Sequence, residues 1–293
     1  MHHAPDPHDT ERILVYGPPG TGKSSIVKSL VEDGQEVVAF DTESTYRRML
    51  ANTTPNRSAV EIINMVHEVP ASGEDEWGYL MGRLDVEIQR ATNDGDNALG
   101  RWLIIDSFTP TWEWCQASYI THIHGEDDIN YFLQRRKEME RAEKMGNPLD
   151  GNHDWTYINK MYAGLYNRLL RWPGHVLITA EGAKIDDRDS RETQKEFGAA
   201  GWKPKGQKRL GHIPKTVLLL GKRTGGVWVY DTVKDREREE YSGVEITRED
   251  GGFVNAYLVD VAGWTRREDD AGKGNEGMTA RERAMARARK DNR

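Results

Sequence analysis

Several scarcities in the sequence each close off a class. Cys115 is the one cysteine, so neither an intrachain disulfide nor a multi-cysteine zinc site can form. A reducing, cytoplasmic setting is the expectation that follows. No apolar run approaches the roughly 20 residues that a membrane-spanning helix requires, so no membrane partner is expected. The opening residues, with His2, His3 and His8, lack the apolar stretch of a secretory signal and read as a disordered leader over residues 1–10. No Asn-Lys-x-Asp guanine-reading run occurs, which argues against a GTPase. Positive charge is also short: 41 Lys and Arg face 48 Asp and Glu, a formal net charge of −7. That is a global average, and nucleic-acid binding depends on local patches. Sign reversal occurs in two places, Gly201 to Lys215 and the last residues of the chain.

What is present is a soluble composition, 37% apolar and 30% charged over 293 residues, enough for one large α/β domain with appendages. Continuous apolar runs at Ile13–Tyr16, Val37–Phe40, Trp102–Ile105, Val176–Thr179 and Val217–Leu220 read as strands covered on both faces, with 62–66 as a further candidate. Between them Ser24 to Asp33 reads as a helix stopped by Gly34. Trp77, Leu80, Met81, Leu84, Ile88 and Ala91 mark one helix face; Trp155, Ile158, Tyr162, Leu165, Leu169 and Trp172 mark another, both read as core packing. Alternating strands and helices predict a mainly parallel sheet flanked by helices. Val227–Tyr230 and Phe253–Val259 read as added C-terminal strands. The expected organisation is a domain over 11–265, with a helical insertion at 111–174, and a basic flexible tail at 266–293, where basic residues 281, 283, 287, 289, 290 and 293 outnumber Glu282 and Asp291.

The chemistry begins at Gly17-Pro18-Pro19-Gly20-Thr21-Gly22-Lys23-Ser24, followed by Ser25. A strand precedes this G-x-x-x-x-G-K-[ST] run and a helix follows, the context in which such a run cradles phosphates. Backbone N–H groups and the helix N-terminus favour the anion. Lys23 then reaches the β- and γ-phosphates, and the Ser24 hydroxyl binds Mg²⁺. Asp106, where Trp102–Ile105 leaves the core, is the second candidate Mg²⁺ oxygen. Glu43, at the end of Val38-Ala39-Phe40-Asp41-Thr42-Glu43, is a candidate for polarising a water against the γ-phosphate.

Phe40-Asp41-Thr42-Glu43-Ser44-Thr45-Tyr46-Arg47 resembles the DTEGTFR stretch of RadA-type recombinases and, less closely, the DAEHA stretch of RecA. The chain as a whole resembles the compact, phage-encoded RecA-like P-loop ATPases linked to single-strand annealing and recombination. That resemblance spans about residues 11–260. It implies ATP and Mg²⁺ as cofactors, Glu43 as the catalytic carboxylate, and Ile104-Ile105-Asp106-Ser107 as the magnesium strand. Ile178-Thr179-Ala180-Glu181 matches in place the strand whose polar end senses the γ-phosphate; RecA has Gln there and many phage relatives His, and here it is Glu181. Val229–Arg236 resembles the late strand whose Lys-x-Lys in RecA reaches a neighbouring subunit, which implies a homo-oligomer with Lys234 and Arg236 acting in trans.

In RecA-like proteins the loop after the sensor strand binds single-stranded DNA. Its counterpart here, 183–214, is too long for a structureless connection without a function. Lys203, Lys205, Lys208 and Arg209 are the candidate phosphate contacts, and Trp202 and Phe197 the candidate base-stacking groups. Asp186, Asp187, Asp189, Glu192 and Glu196 make its first part acidic. A single-strand DNA-binding protein is a candidate partner. Two other readings stay open: a P-loop kinase phosphorylating a small molecule, and an AAA+ type motor, which calls for a helical lid where strands are expected here after Leu220.

Overall fold

The computed structural model describes residues 1–6, 8–51, 53, 59–68, 75–125, 128–142, 149, 153–207, 210–212, 214–222, 228–247 and 252–266. The chain opens with β1 (His2–His3) and β2 (Arg12–Gly17), followed by α1 (Ser25–Glu32) and β3 (Val37–Asp41). A turn of helix, α2 (Tyr46–Met49), leads to β4 (Val60–Asn64), α3 (Met65–Glu68), α4 (Glu76–Asp94) and β5 (Trp102–Asp106). The helical insertion comprises α5 (Thr109–His124), α6 (Asp128–Arg141) and α7 (Asp154–Arg171). After it come β6 (His175–Lys184), α8 (Arg191–Phe197), β7 (Trp202–Pro204), β8 (Thr216–Lys222), β9 (Trp228–Asp235), β10 (Glu245–Thr247) and β11 (Thr265–Arg266).

Among the described residues, nine strands make one sheet in the order β10-β9-β8-β2-β6-β5-β3-β4, with β7 paired to the end of β6. From β8 across to β4 every pairing is parallel, while β9 and β10 add antiparallel to the β8 edge. This is the mainly parallel α/β architecture with added C-terminal strands that the sequence predicts. The continuous apolar runs work by strict alternation. Leu14, Tyr16, Phe40, Leu103, Ile105 and Ile178 pack on the face covered by α4, α5 and α7. Ile13, Val15, Ala39, Ile104 and Leu177 pack on the face covered by α1 and the helical segment Val254–Val259. Each fully buried Leu, Ile or Val side chain stabilises this arrangement by roughly 1.5–3 kcal/mol. Ends are set locally: Asp75 caps α4 by accepting from the Gly78 N–H at 2.6 Å, and Gly125, in the left-handed region, stops α5. Cys115 lies buried in α5, and burial pushes its thiol up to about 12.

Four expectations change. Residues 253–259 are helical, with the wide hydrogen-bonding of a π-helix over Val254–Val259, not a strand. Their apolar positions 253, 254, 257 and 258 fit a helix face against α1, and a short continuous apolar run does not discriminate the two. The candidate strand at 62–66 is shifted, because Met65 and Val66 already belong to α3. In place of a disordered leader, His2 and His3 pair antiparallel with Arg266 and Thr265, and the His2 backbone N–H donates to Asp33 at 2.8 Å. The stretch 183–204 is also organised: β6 runs on to Lys184, α8 follows, and β7 folds back on β6 as an antiparallel ribbon. The basic tail beyond Arg266 lies outside the described residues.

At the end of the sheet away from the phosphate loop, charge is buried. Glu11 and Asp235 are 3% and 1% exposed. Arg238 joins them, with Nη2 at 2.6 Å from Glu11 and Nη1 at 3.3 Å from Asp235, while the Tyr257 hydroxyl donates to Asp235 at 2.8 Å. Burial pushes the Glu11 carboxyl up, and Arg238 pulls it back towards the ionised form. Removing one partner of such a set leaves buried charge uncompensated. Arg238→Ala is therefore expected to lower unfolding free energy by about 3–5 kcal/mol, read from urea denaturation; a change under about 1 kcal/mol, the scale of an exposed pair, would show the cluster to be solvated.

Candidate functional site

β2 sits between β6 and β8, and at its carboxyl end the three backbones close up. A Cβ on Gly17 would lie 2.3 Å from the Leu220 carbonyl oxygen, and one on Gly182 would lie 2.9 Å from the Gly17 carbonyl carbon. Only glycine fits either position. The chain then curls through Gly20 (φ 74°) and Gly22 (φ 83°), conformations that side-chain-bearing residues rarely adopt. Thr21 Oγ1 donates to the Pro18 carbonyl at 2.8 Å and Ser25 Oγ to that of Gly22 at 2.6 Å, which fixes the curl. Lys23 Nζ donates to the carbonyls of Gly17 at 3.0 Å and Pro18 at 3.1 Å. Ser24 directly precedes α1, and its hydroxyl makes no capping bond to that helix.

The second wall of the site comes from β3 and β5, whose register sets Asp41 opposite Asp106. Asp41 works inward: Oδ1 accepts from the Glu43 N–H at 3.2 Å and Oδ2 from the Tyr46 N–H at 2.8 Å. This shapes the turn that carries Glu43 to the mouth of the site. The Thr42 hydroxyl ties β3 to β5 by accepting from the Ser107 N–H at 2.7 Å and donating to the Ser107 carbonyl at 3.0 Å. Asp106, 3% exposed, accepts from the Tyr46 hydroxyl at 2.6 Å through Oδ2 and from the Thr179 hydroxyl through Oδ1. Burial, then the Asp106 charge, hold Tyr46 well above its ordinary pKa, so it stays a donor.

The charges of four side chains drawn from separate motifs act on one another here. Burial lowers the pKa of Lys23, while the negative charges of Asp106, Glu43 and Glu181 act to raise it. Partial burial raises the Glu43 carboxyl, with Asp106 adding to the rise and Lys23 opposing it. Three carboxylates against two ammoniums, Lys23 and the Lys205 that pairs with Glu181, leave the site short of positive charge. Among the described residues no group of three or more His, Cys, Asp or Glu side chains is arranged to hold a metal ion by itself. Mg²⁺ does not need one, since it usually binds through one or two protein oxygens plus phosphates and water. The Asp106 carboxylate fits that role: two hydroxyl donors orient it, and further lone pairs remain.

Sequence reasoning missed Tyr46, Thr179 and Thr109. Thr109 Oγ1 accepts from the Glu181 N–H at 2.9 Å. The signal for Tyr46 was its place in the 40–47 run, and for Thr179 its position just before the strand end.

The candidate DNA contacts are placed differently from one another. Lys203 pairs with Asp189, and Lys205 Nζ lies 3.0 Å from Glu181 Oε2. Trp202 is half-buried, with Lys184 5.9 Å above its ring and its carbonyl accepting from the Tyr16 hydroxyl at 2.8 Å. Phe197 is buried edge-on to Tyr16 and is not available to stack on a base. Lys208 and Arg209 lie outside the described residues. Lys234 Nζ donates to Glu196 at 3.0 Å and to the Gly211 carbonyl at 2.7 Å, within its own chain. Arg236 is exposed, and its N–H donates to the Lys215 carbonyl at 3.0 Å.

A glycine-rich phosphate loop between the first strand and helix of a parallel sheet, with an Asp ending a nearby strand, defines a P-loop NTPase domain. A family model described as an AAA domain matches residues 9–221, and the chain belongs to that family. The crystal structure of the RadB recombinase is similar at 17% identity and a TM-score of 0.45, covering 83% of this chain and 90% of that one. A KaiC-like protein from the hyperthermophilic archaeon Pyrococcus horikoshii OT3 is similar at 17% identity and a TM-score of 0.42, covering 83% and 88%. No curated protein sequence matches. No helix among the described residues is long and apolar enough to cross a membrane.

Tyr46→Phe removes one of the two hydroxyls that orient Asp106 while keeping the buried ring. Loss of such a supporting contact typically weakens metal binding by about 10–100-fold. The Mg²⁺ concentration for half-maximal nucleotide turnover is expected to rise on that scale, and an unchanged Mg²⁺ dependence would remove Asp106 from the metal site.

Proposed function

We propose that this chain is a Mg²⁺-dependent ATPase of RecA-like type that acts on single-stranded DNA in recombination, annealing or repair. The observation that carries the proposal is the phosphate loop at the end of β2, with Glu181 opposite Gly17 on β6 and Asp106 ending the adjoining β5. Residues 17–25 cradle the triphosphate, with Lys23 leaving the loop carbonyls for the β- and γ-phosphates. Ser24 and Asp106 hold Mg²⁺, which when bound neutralises charge developing on the phosphoryl oxygens. Glu43 orients the attacking water and accepts its proton as the water oxygen bonds to the γ-phosphorus. The bond from that phosphorus to the bridging oxygen breaks, and ADP leaves. A carboxylate with a raised pKa is a better base than an ordinary one.

Single-stranded DNA is the proposed polymer. Lys203 and Lys205 are already paired with carboxylates, but the Lys205–Glu181 pair is largely exposed. Exposed pairs contribute only about 0–1 kcal/mol, so phosphates can take over a lysine at modest cost. The reading includes a homo-oligomer in which Arg236, on the exposed surface, reaches a neighbouring subunit. Lys234 joins it only by giving up Glu196 and Gly211. A single-strand DNA-binding protein is the proposed protein partner, and a phage the proposed source.

The deciding measurement is ATP turnover with and without single-stranded DNA. Stimulation by DNA is expected, and its absence together with absent DNA binding at low salt would favour small-molecule phosphorylation instead. Glu43→Gln is expected to bind ATP yet turn over about 10²-fold more slowly or worse; wild-type turnover in a single-turnover assay would make Glu43 a surface residue. Because the base must be ionised, turnover is expected to fall as pH drops through the raised Glu43 pKa, above the ordinary 4.5. Glu43→Gln should lack that acid limb.

A further inference from the structure

We infer that the groove between α5 and α7 is a binding site for an unstacked base of a single-stranded nucleic acid. The inference rests on the single-strand reading above and adds to it the place where bases are held. The groove encloses 880 Å³, and Trp112, Trp155, Tyr162, Asn159, Asn167 and Gln207 are among its lining residues. Trp112 and Trp155 stack at 6.1 Å with their planes 21° apart, and Tyr162 stands edge-on to Trp112 at 5.0 Å. Tyr162 is buried, but both tryptophans are only half-buried, and Leu170 at the groove is 57% exposed. The stripe that the sequence marks as core packing is thus open at one side.

Besides the hydroxyls of Tyr162 and Tyr166, the polar side chains here are three of one kind. Asn159, Asn167 and Gln207 are carboxamides, which offer donors and acceptors together, as base edges do. Gln207 Nε2 already donates to Asn159 Oδ1 at 3.2 Å. Among the described lining residues none carries a charge, although the chain has a formal net charge of −7. An apolar, aromatic, carboxylate-free groove suits a neutral base whose phosphates stay outside. At its rim the chain runs Lys205-Gly206-Gln207, and Lys203 lies two residues before Lys205. These lysines are the phosphate contacts that would flank a seated base. Lys205 also reaches the nucleotide site, since its N–H donates to the Glu181 carbonyl at 2.7 Å and its Nζ pairs with the Glu181 carboxylate. A base in the groove therefore touches a segment tied to one of the three carboxylates around Lys23.

The test uses the full chain with ATP and Mg²⁺ at low salt, and fluorescence anisotropy of labelled oligothymidylate and oligouridylate. Trp155→Leu is expected to weaken binding by about 5- to 150-fold, the range for one stacked base, with an unchanged salt slope because stacking displaces few counterions. Asn167→Glu changes an exposed residue, so folding should survive, and its carboxylate in the groove should also weaken binding; circular dichroism melts confirm that both variants are folded. The oligomer bound more tightly by the wild type identifies the polymer as DNA or RNA. If the wild type binds and both folded variants bind as tightly, the groove assignment is wrong while the single-strand reading stands. If the wild type binds neither oligomer, the single-strand reading fails and the groove assignment falls with it.

Discussion

The register of four parallel strands is the constraint on which the site depends. β2 lies beside β6 so that Gly17 faces Glu181, and β3 lies beside β5 so that Asp41 faces Asp106. A slip of one residue in either pair would send the end residue to the opposite face of the sheet. The alternating side chains prevent that slip, because both faces are buried and each strand would have to exchange its whole apolar set. The core thus sets stability and, through register, the distances among groups that are far apart in sequence. Glycine at 17 and 182 completes the arrangement by letting the backbones approach where the phosphate loop starts.

Electrostatics gives that geometry a direction. Three carboxylates against the ammoniums of Lys23 and Lys205 make the site net negative, and a polyphosphate entering it adds to that charge unless a cation accompanies it. The hydroxyls of Tyr46 and Thr179 orient the Asp106 carboxylate without adding charge. Asp41 spends its carboxylate on backbone N–H groups, which separates its structural task from the exposed position of Glu43. Two acids two residues apart in one run thereby take different tasks from their surroundings.

The parallel sheet and phosphate loop were legible because their signals are local: four-residue apolar runs, and a glycine pattern whose backbone demand no other residue type meets. Glu43 and Asp106 were legible as strand-end carboxylates, and the charges of both act on Lys23. Tyr46 and Thr179 were not, since a hydroxyl donated to a carboxylate sixty or seventy residues away leaves no mark on spacing. The helix at 254–259 was misread because its apolar run is continuous, a pattern that buried strands and buried helices share. The lysines of 201–215 looked uniformly available by charge count, yet Lys203 and Lys205 each meet an acid brought close by the fold, one on the turn before α8 and one on β6. Phe197 was read as a surface stacking group for the same reason: nothing in its neighbourhood reveals that Tyr16 lies against it.

The burial of Cys115 has a practical side. As the sole cysteine, packed inside α5 with its thiol pushed up to about 12, it offers almost no thiolate to an alkylating reagent near neutral pH. The native protein is in effect a cysteine-free background. A single cysteine placed on the surface would carry a fluorophore or spin label to one known address without any prior substitution, so motion of the segment joining β7 to the aromatic groove can be followed in the otherwise unaltered chain.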